Sequence, residues 1–201
     1  IKGVRNFLIN KHWAIPNDIL ANIIKVDDTI DALHALAKWK RRQYHIPVIA
    51  ITGSNGKTIV KEWLYNLLAQ KMHVVKSPKS YNSQIGVPLS VWQMDEYAEI
   101  GVFEAGISRV DEMSKLEDII KPTIGIFTNI GSAHDEGFSS SSQKIKEKLQ
   151  LFKSVDTLVY CKDYSNIHQE VELFLQHHNN NTFSWSKRVE ADLVDRKSTR
   201  L

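Results

Sequence analysis

From Val48 to Thr52 the chain is apolar and β-branched behind Pro47, the pattern of a strand buried on both faces. The run stops at the small-residue turn Gly53-Ser54-Asn55-Gly56. From Ile59 to Leu68 apolar residues return at helical spacing, which assigns Val60, Trp63, Leu64, Leu67 and Leu68 to one face. The alternation continues downstream. Short strands are predicted at 73–76, 100–103, 123–128, 157–161 and 182–185, and helices at 87–94 (opened by Pro88), 111–120, 143–153 and 165–176. Upstream, Asp27-Asp28-Thr29 can cap a helix with Ile30, Leu33, Leu36, Ala37 and Trp39 on one side. Lys38 and Lys40-Arg41-Arg42 bring positive charge to the end of that helix, as a ligand patch or as a solvated terminus favoured by the helix dipole. The order of elements predicts an α/β fold, a mainly parallel sheet with helices on both faces. Ligands of such sheets lie beyond the carboxyl ends of the strands.

Composition narrows the class. With 201 residues and 42% hydrophobic content the chain can build a real core, and no apolar run is long enough for a membrane span. The formal charge of +3 is dispersed among acids, which argues against nucleic-acid binding. The single cysteine, Cys161, falls in an apolar run and reads as a buried strand thiol, in keeping with a reducing cytoplasm. The opening Ile1-Lys2-Gly3 reads as mid-pattern, as in a fragment, and carries no signal-peptide pattern. The serine-rich tract 139–142 reads as a polar loop leading into the next helix.

The strand edge selects the chemistry. Gly53-Ser54-Asn55-Gly56-Lys57-Thr58, set between a strand and a helix, is a phosphate-binding loop. Its backbone N–H groups and the helix N-terminus face an anion, Lys57 neutralises phosphate charge, and the Thr58 hydroxyl can ligate Mg²⁺. Ile51 stands where the standard motif has its early glycine. The strand ending at Phe103 delivers Glu104 to the same edge, where a carboxylate could share that ion. The strand ending at Thr128 delivers Asn129-Ile130-Gly131-Ser132-Ala133-His134; His134 reads as a metal ligand, a phosphate contact or a loop histidine. The long polar segment from Ser77 to Pro88 lies on that edge as a functional loop or a plain connection.

Taken in order, these segments resemble the Mur ligases. The matching stretches are Gly53-Ser54-Asn55-Gly56-Lys57-Thr58, Tyr81-Asn82-Ser83-Gln84-Ile85-Gly86-Val87-Pro88, Phe103-Glu104-Ala105-Gly106, Asn129-Ile130-Gly131-Ser132-Ala133-His134 and Lys148-Leu149-Gln150-Leu151-Phe152. Ile107-Ser108-Arg109 departs from the family's usual Asn-His pair after the glycine, so those positions receive no role. The resemblance runs from about residue 3 to about residue 192. It is strongest to the branch that adds D-alanyl-D-alanine to UDP-N-acetylmuramoyl-tripeptide, in the form fused ahead of an alanine racemase.

The resemblance implies an ATP-dependent amide ligase of peptidoglycan precursor synthesis. ATP phosphorylates a substrate carboxylate, and the amine of the dipeptide attacks the acyl phosphate. Gly53, Ser54, Asn55, Gly56, Lys57, Thr58 and Asn129 would bind the nucleotide. Thr58 and Glu104 would hold one Mg²⁺, with His134 and a carbamylated Lys148 holding a second. Lys57, His134 and Lys148 would carry the chemistry, and Asn82 and Ser83 would contact substrate. By the residues alone, Lys144, Lys146 and Lys148 read as a solvated helix face. The implied division is 1–46 as the end of a UDP-sugar-binding domain with its linker helix, 47–193 as the ATP-binding domain, and 194–201 as an unassigned tail. Two other readings compete: a related ligase of the folylpolyglutamate or cyanophycin synthetase type, and a nucleotide-binding module inactive by itself.

Overall fold

The strand β3 (Val48–Thr52) is buried along its whole length, as a strand packed on both faces must be. Its partners are β5 (Ile100–Glu104) on one side and β6 (Ile124–Phe127) on the other, both parallel to it. The computed structural model describes residues 3–16, 20–131 and 137–195. Beyond β5 lies β4 (Val74–Lys76). Beyond β6 follow β7 (Thr157–Cys161), β8 (Asn181–Ser186) and the two-residue β9 (Leu193–Val194), every pairing parallel. A separate parallel pair, β1 (Asn6–Asn10) and β2 (Asn22–Val26), precedes them. Neither that pair nor β9 is predicted from the sequence, because each is short and none alternates polar with apolar positions.

Alternate residues of β3 serve two layers. Ile49 and Ile51, with Ile100 and Val102, pack under Val60, Leu64 and Leu68 of α2 (Lys57–Leu68). Val48 and Ala50 face the larger cluster, closed by α1 (Thr29–Arg42), α3 (Gly86–Val91), α4 (Met113–Ile120), α5 (Ser141–Leu149) and α6 (Ser165–Leu175). Helices therefore cover both faces, as predicted, but unequally. From β3 the chain travels outward through α2 to β4 and back to β5. It then crosses to β6 on the other side. The carboxyl ends of β3 and β5 thus meet at the switch point where an open parallel sheet binds ligands.

Packing corrects several assignments. Trp63 and Leu67, expected on the core face of α2, are 67% exposed, and with Ile59 they form an outward stripe at four-residue spacing. The buried position of that helix is instead Lys61. On α1, Leu36 and Trp39 are exposed whereas His34 and Arg41 are buried. Arg41 is neither a ligand patch nor a solvated helix end. Its Nε donates to the Ile120 carbonyl at 2.7 Å and its Nη2 to that of Lys121 at 3.0 Å, satisfying carbonyls that the end of α4 leaves without partners. The predicted cap of α1 is present: the Asp28 carboxylate accepts from the N–H groups of Ile30 and Asp31. The serine tract is partly helix, with Ser140 capping α5 through the Gln143 N–H. Cys161 is buried, as read.

Behind β6, Gly125 leaves room for the ring of Phe152, which is fully buried on the 3-10 turn after α5. A Cβ at Gly125 would stand 2.4 Å from that ring. Gly125→Ala should therefore destabilise the fold by about 1–3 kcal/mol through overpacking. The midpoint of denaturant unfolding measures it, and an unchanged midpoint would show that Phe152 moves freely.

Candidate active site

The phosphate loop is shaped by glycine and by β6. Gly53 has φ of +143°, and a Cβ there would stand 2.0 Å from Thr128 Oγ1 and 2.9 Å from the Asn129 carbonyl. Only a glycine allows this approach. The contact lets the Ser54 N–H donate to the Asn129 carbonyl at 2.9 Å and the Asn55 N–H to Asn129 Oδ1 at 3.0 Å. Thr128 Oγ1 donates to the Asn55 carbonyl at 2.6 Å. Two loop amides expected to face an anion are thus committed to Asn129, which acts as the loop's scaffold. The donors left are at the start of α2. Gly56 caps that helix in the left-handed region with no side chain to offer. The first amides of the helix, from Lys57 onward, lack intrahelical acceptors and point out of its positive end.

Side chains from three strand ends converge there. Thr58 Oγ1 donates to Glu104 Oε2 at 3.1 Å, and Glu104, at the end of β5, is fully buried. Lys57 Nζ donates to its own loop, to the carbonyls of Gly53 at 2.8 Å and Ser54 at 3.3 Å. Lys148 of α5 approaches the Gly53 carbonyl at 3.4 Å. Lys57, Lys144 and Lys148 line one cavity of about 180 Å³ together with Asn82, Ser83 and Ser108. The peptide of Gly106 tethers the Asn82 loop to the sheet, its N–H donating to the Asn82 carbonyl at 2.8 Å. Ser83 is partly spent on structure, its hydroxyl accepting the Gly86 N–H at 3.1 Å.

The helix face read as solvated is not. Lys144 is 2% and Lys148 3% exposed, and only Lys146 points outward. Lys144 Nζ donates to the Gly131 carbonyl at 3.0 Å. Burial pushes Lys148 down from an ordinary value of 10.5 to about 7, and the charges of Lys57 and then Lys144 add to the effect. Lys57 is lowered by burial as well, with Glu104 acting in the opposite direction. The cavity is cationic, fit to receive an anion. His134 lies outside the described residues. Among the described residues no three His, Cys, Asp or Glu side chains gather as a metal cage. Lys144, Ile107 and Ser108 also line the cavity; the sequence reads Lys144 as a solvated helix position and gives Ile107 and Ser108 no role, because they depart from the family's usual pair.

A doubly covered parallel sheet with a phosphate loop at its switch point defines a nucleotide-binding α/β domain. Residues 51–200 match the Mur ligase middle domain, and the chain belongs to that family. The chain is 39% identical over 150 residues to the UDP-N-acetylmuramoyl-tripeptide–D-alanyl-D-alanine ligase of Borreliella burgdorferi, covering 71% of this chain and 31% of the relative. The ligase of the same name from Bacillus subtilis is 36% identical over 144 residues, covering 70% and 32%. Among solved structures, the MurF ligase of Thermotoga maritima in complex with ADP superposes with a TM-score of 0.80 at 28% identity, over 94% of this chain and 49% of that one. The chain thus spans about a third of the length of the curated relatives it matches.

The pKa of Lys148 generates a stability prediction. Below about pH 7 its amine is charged in the folded and unfolded chains alike, and the full penalty of burial is felt. From there to about pH 10.5 the folded chain holds the neutral amine while the unfolded chain stays protonated, so stability rises with pH. In nucleotide-free protein Lys148→Met should stabilise by about 1–4 kcal/mol at about pH 6, and the gain should shrink steadily above about pH 7. Thermal melts across that range test it; a gain independent of pH would refute it.

Proposed function

We propose that this chain carries the ATP-binding domain of an amide ligase that joins D-alanyl-D-alanine to UDP-N-acetylmuramoyl-tripeptide through an acyl phosphate. The observation that carries the proposal is the gathering of Lys57 and Lys148 on one cavity at the switch point, with the Thr58–Glu104 pair at the adjoining start of α2. The names of the relatives supply the substrates, and the ADP held by the Thermotoga maritima structure supports ATP as the nucleotide. Residues 1–46, with their own β1–β2 pair, are read as the end of a UDP-sugar-binding domain and its linker helix, and 47–193 as the ATP-binding domain. ATP and a free buried cysteine fit a cytoplasmic setting, and no helix of the described residues is long and apolar enough to cross a membrane.

The residues fit Mg²⁺. Adjacent oxygens of an octahedral Mg²⁺ site are about 2.9 Å apart, close to the 3.1 Å between Thr58 Oγ1 and Glu104 Oε2. Both are hard donors, and Mg²⁺ completes its shell with water and phosphate rather than a protein cage. When bound, the ion offsets the charge of a triphosphate brought against a carboxylate. The free amides at the start of α2 and Lys57 bind the phosphates. Asn82 and Ser83 hold the acceptor peptide, whose carboxylate the cationic cavity draws in and whose acyl phosphate it stabilises. Lys148, able to lose its proton near neutrality, adds CO₂ through its free amine and releases a proton. The resulting carbamate would offer oxygen ligands to a second Mg²⁺, which His134 would help to hold.

Phosphate release from the intact parent protein should require both the UDP-tripeptide and D-alanyl-D-alanine, whereas residues 1–201 alone should not ligate. Release driven instead by a folate and glutamate would overturn the assignment in favour of the folylpolyglutamate type. Lys57→Ala should weaken nucleotide binding about 10- to 100-fold, the value of hydrogen bonds to charged groups. Lys148→Ala should lower kcat about 100-fold or more while nucleotide still binds, and a short added carboxylic acid should restore part of it. The outward-facing Lys146 serves as control, and Lys146→Ala should leave kcat near the parent's.

A further inference from the structure

Among the large side chains that are fully buried in the described residues, one belongs to a lysine, Lys61. Lys61 follows Lys57 by one helical turn on α2, so both lysines leave the same side of the helix. Its Nζ lies 3.0 Å from Glu104 Oε1 and 3.1 Å from Glu62 Oε1, and it donates to the Lys79 carbonyl. Three oxygens surround the ammonium. Glu104 Oε1 receives no well-angled hydrogen bond, so charge alone holds it against Lys61, while Oε2 faces Thr58. The carboxylate is divided, one oxygen toward an interior cation and the other toward the phosphate loop.

The other contacts of Lys61 reach the acceptor side. Lys79 has φ of +49°, and its carbonyl is turned in toward Lys61. Three residues further on, Asn82 and Ser83 line the cavity. On the outer side Glu62 is paired with Lys76, whose ammonium lies 3.8 Å from the centre of the Tyr65 ring. Ser77, which follows Lys76, accepts the Glu104 N–H at 3.1 Å. One side chain therefore ties α2, the end of β5 and the loop after β4 together.

We propose that Lys61 is a positioning residue: it holds Glu104 so that Oε2 alone serves Mg²⁺ beside Thr58, and it couples that metal position to the acceptor loop through Lys79. The proposal rests on the assignment of Thr58 and Glu104 to Mg²⁺, and the test separates the two. Binding of a non-hydrolysable ATP analogue to the full chain is measured by calorimetry without Mg²⁺ and across a series of Mg²⁺ concentrations. Partners that orient metal ligands commonly affect metal affinity by 10- to 100-fold, so Lys61→Met should raise the Mg²⁺ needed for half-saturation about 10-fold or more. Binding without Mg²⁺ should stay near the parent's. Lys61→Arg keeps the charge but not the compact head, and its Mg²⁺ requirement should fall between parent and Lys61→Met.

Parental Mg²⁺ dependence in the folded variants overturns the proposal, as does a parallel loss of binding with and without the ion, which marks a merely structural role. Should Lys61→Met not fold, Lys61→Arg decides alone, and parental Mg²⁺ dependence there overturns the proposal. Glu104→Gln is the control. If it leaves Mg²⁺ dependence intact, the metal assignment falls and this proposal with it. If it abolishes that dependence while the Lys61 variants keep it, this proposal alone falls.

Discussion

The close contact between Gly53 and the Thr128–Asn129 turn governs the geometry of the site. It brings the phosphate loop against the end of β6, where the backbone and side-chain carbonyl oxygens of Asn129 accept from loop amides. On the other side Thr52 Oγ1 donates to the Ala105 carbonyl at 2.8 Å, joining β3 to the segment that follows Glu104. Three adjacent strand ends are thus locked edge to edge. The Glu104 carboxylate, the uncapped start of α2 and the end of β6 acquire their spacing from this lock. A sheet with the same strands but a Cβ at position 53 could not bring the loop so close.

Charge is arranged in opposite senses on the two sides of that loop. Toward β5 the interior holds an ion pair, Lys61 with Glu104, whose members compensate each other away from water. Toward α5 the cavity gathers Lys57, Lys144 and Lys148. Burial of these amines, and after it their mutual repulsion, costs stability in the empty protein, and the same two causes lower the pKa of Lys148. The same arrangement becomes favourable when an anion enters and meets preorganised cations in a poorly hydrated site. Stability of the empty fold and affinity for an anionic ligand pull in opposite directions here.

The layers are unequal too. Among the described residues, one face of the sheet carries five helices and most of the apolar core, the other α2 alone. That helix has a narrow buried edge of Val60, Leu64 and Leu68, with Lys61 turned toward Glu104. Its apolar stripe of Ile59, Trp63 and Leu67 faces outward. A helix that must present its N-terminus to phosphate at a set angle is oriented by its loop, so its rotation follows the loop rather than its most hydrophobic side.

The sequence by itself determined the alternation of strands and helices, the strand at the sheet centre, the phosphate loop and the carboxylate at the end of β5. These depend on local periodicity and on glycines whose spacing is a local matter. It also carried the family, through motifs in a set order. Which lysine of α5 meets solvent, which side of α2 is buried, and that Arg41 clamps the end of α4 depended on neighbours distant in the chain. Lys144, Lys146 and Lys148 look alike along the sequence. The first and third are separated by one turn and share a buried face, while Lys146 is rotated about 200° from Lys148 and emerges into water. Lys61 is the clearest case. In the sequence it is one cation among many on a helix; only the folding of β5 and the Lys79 loop around it supplies the oxygens that let a charge lie in the interior.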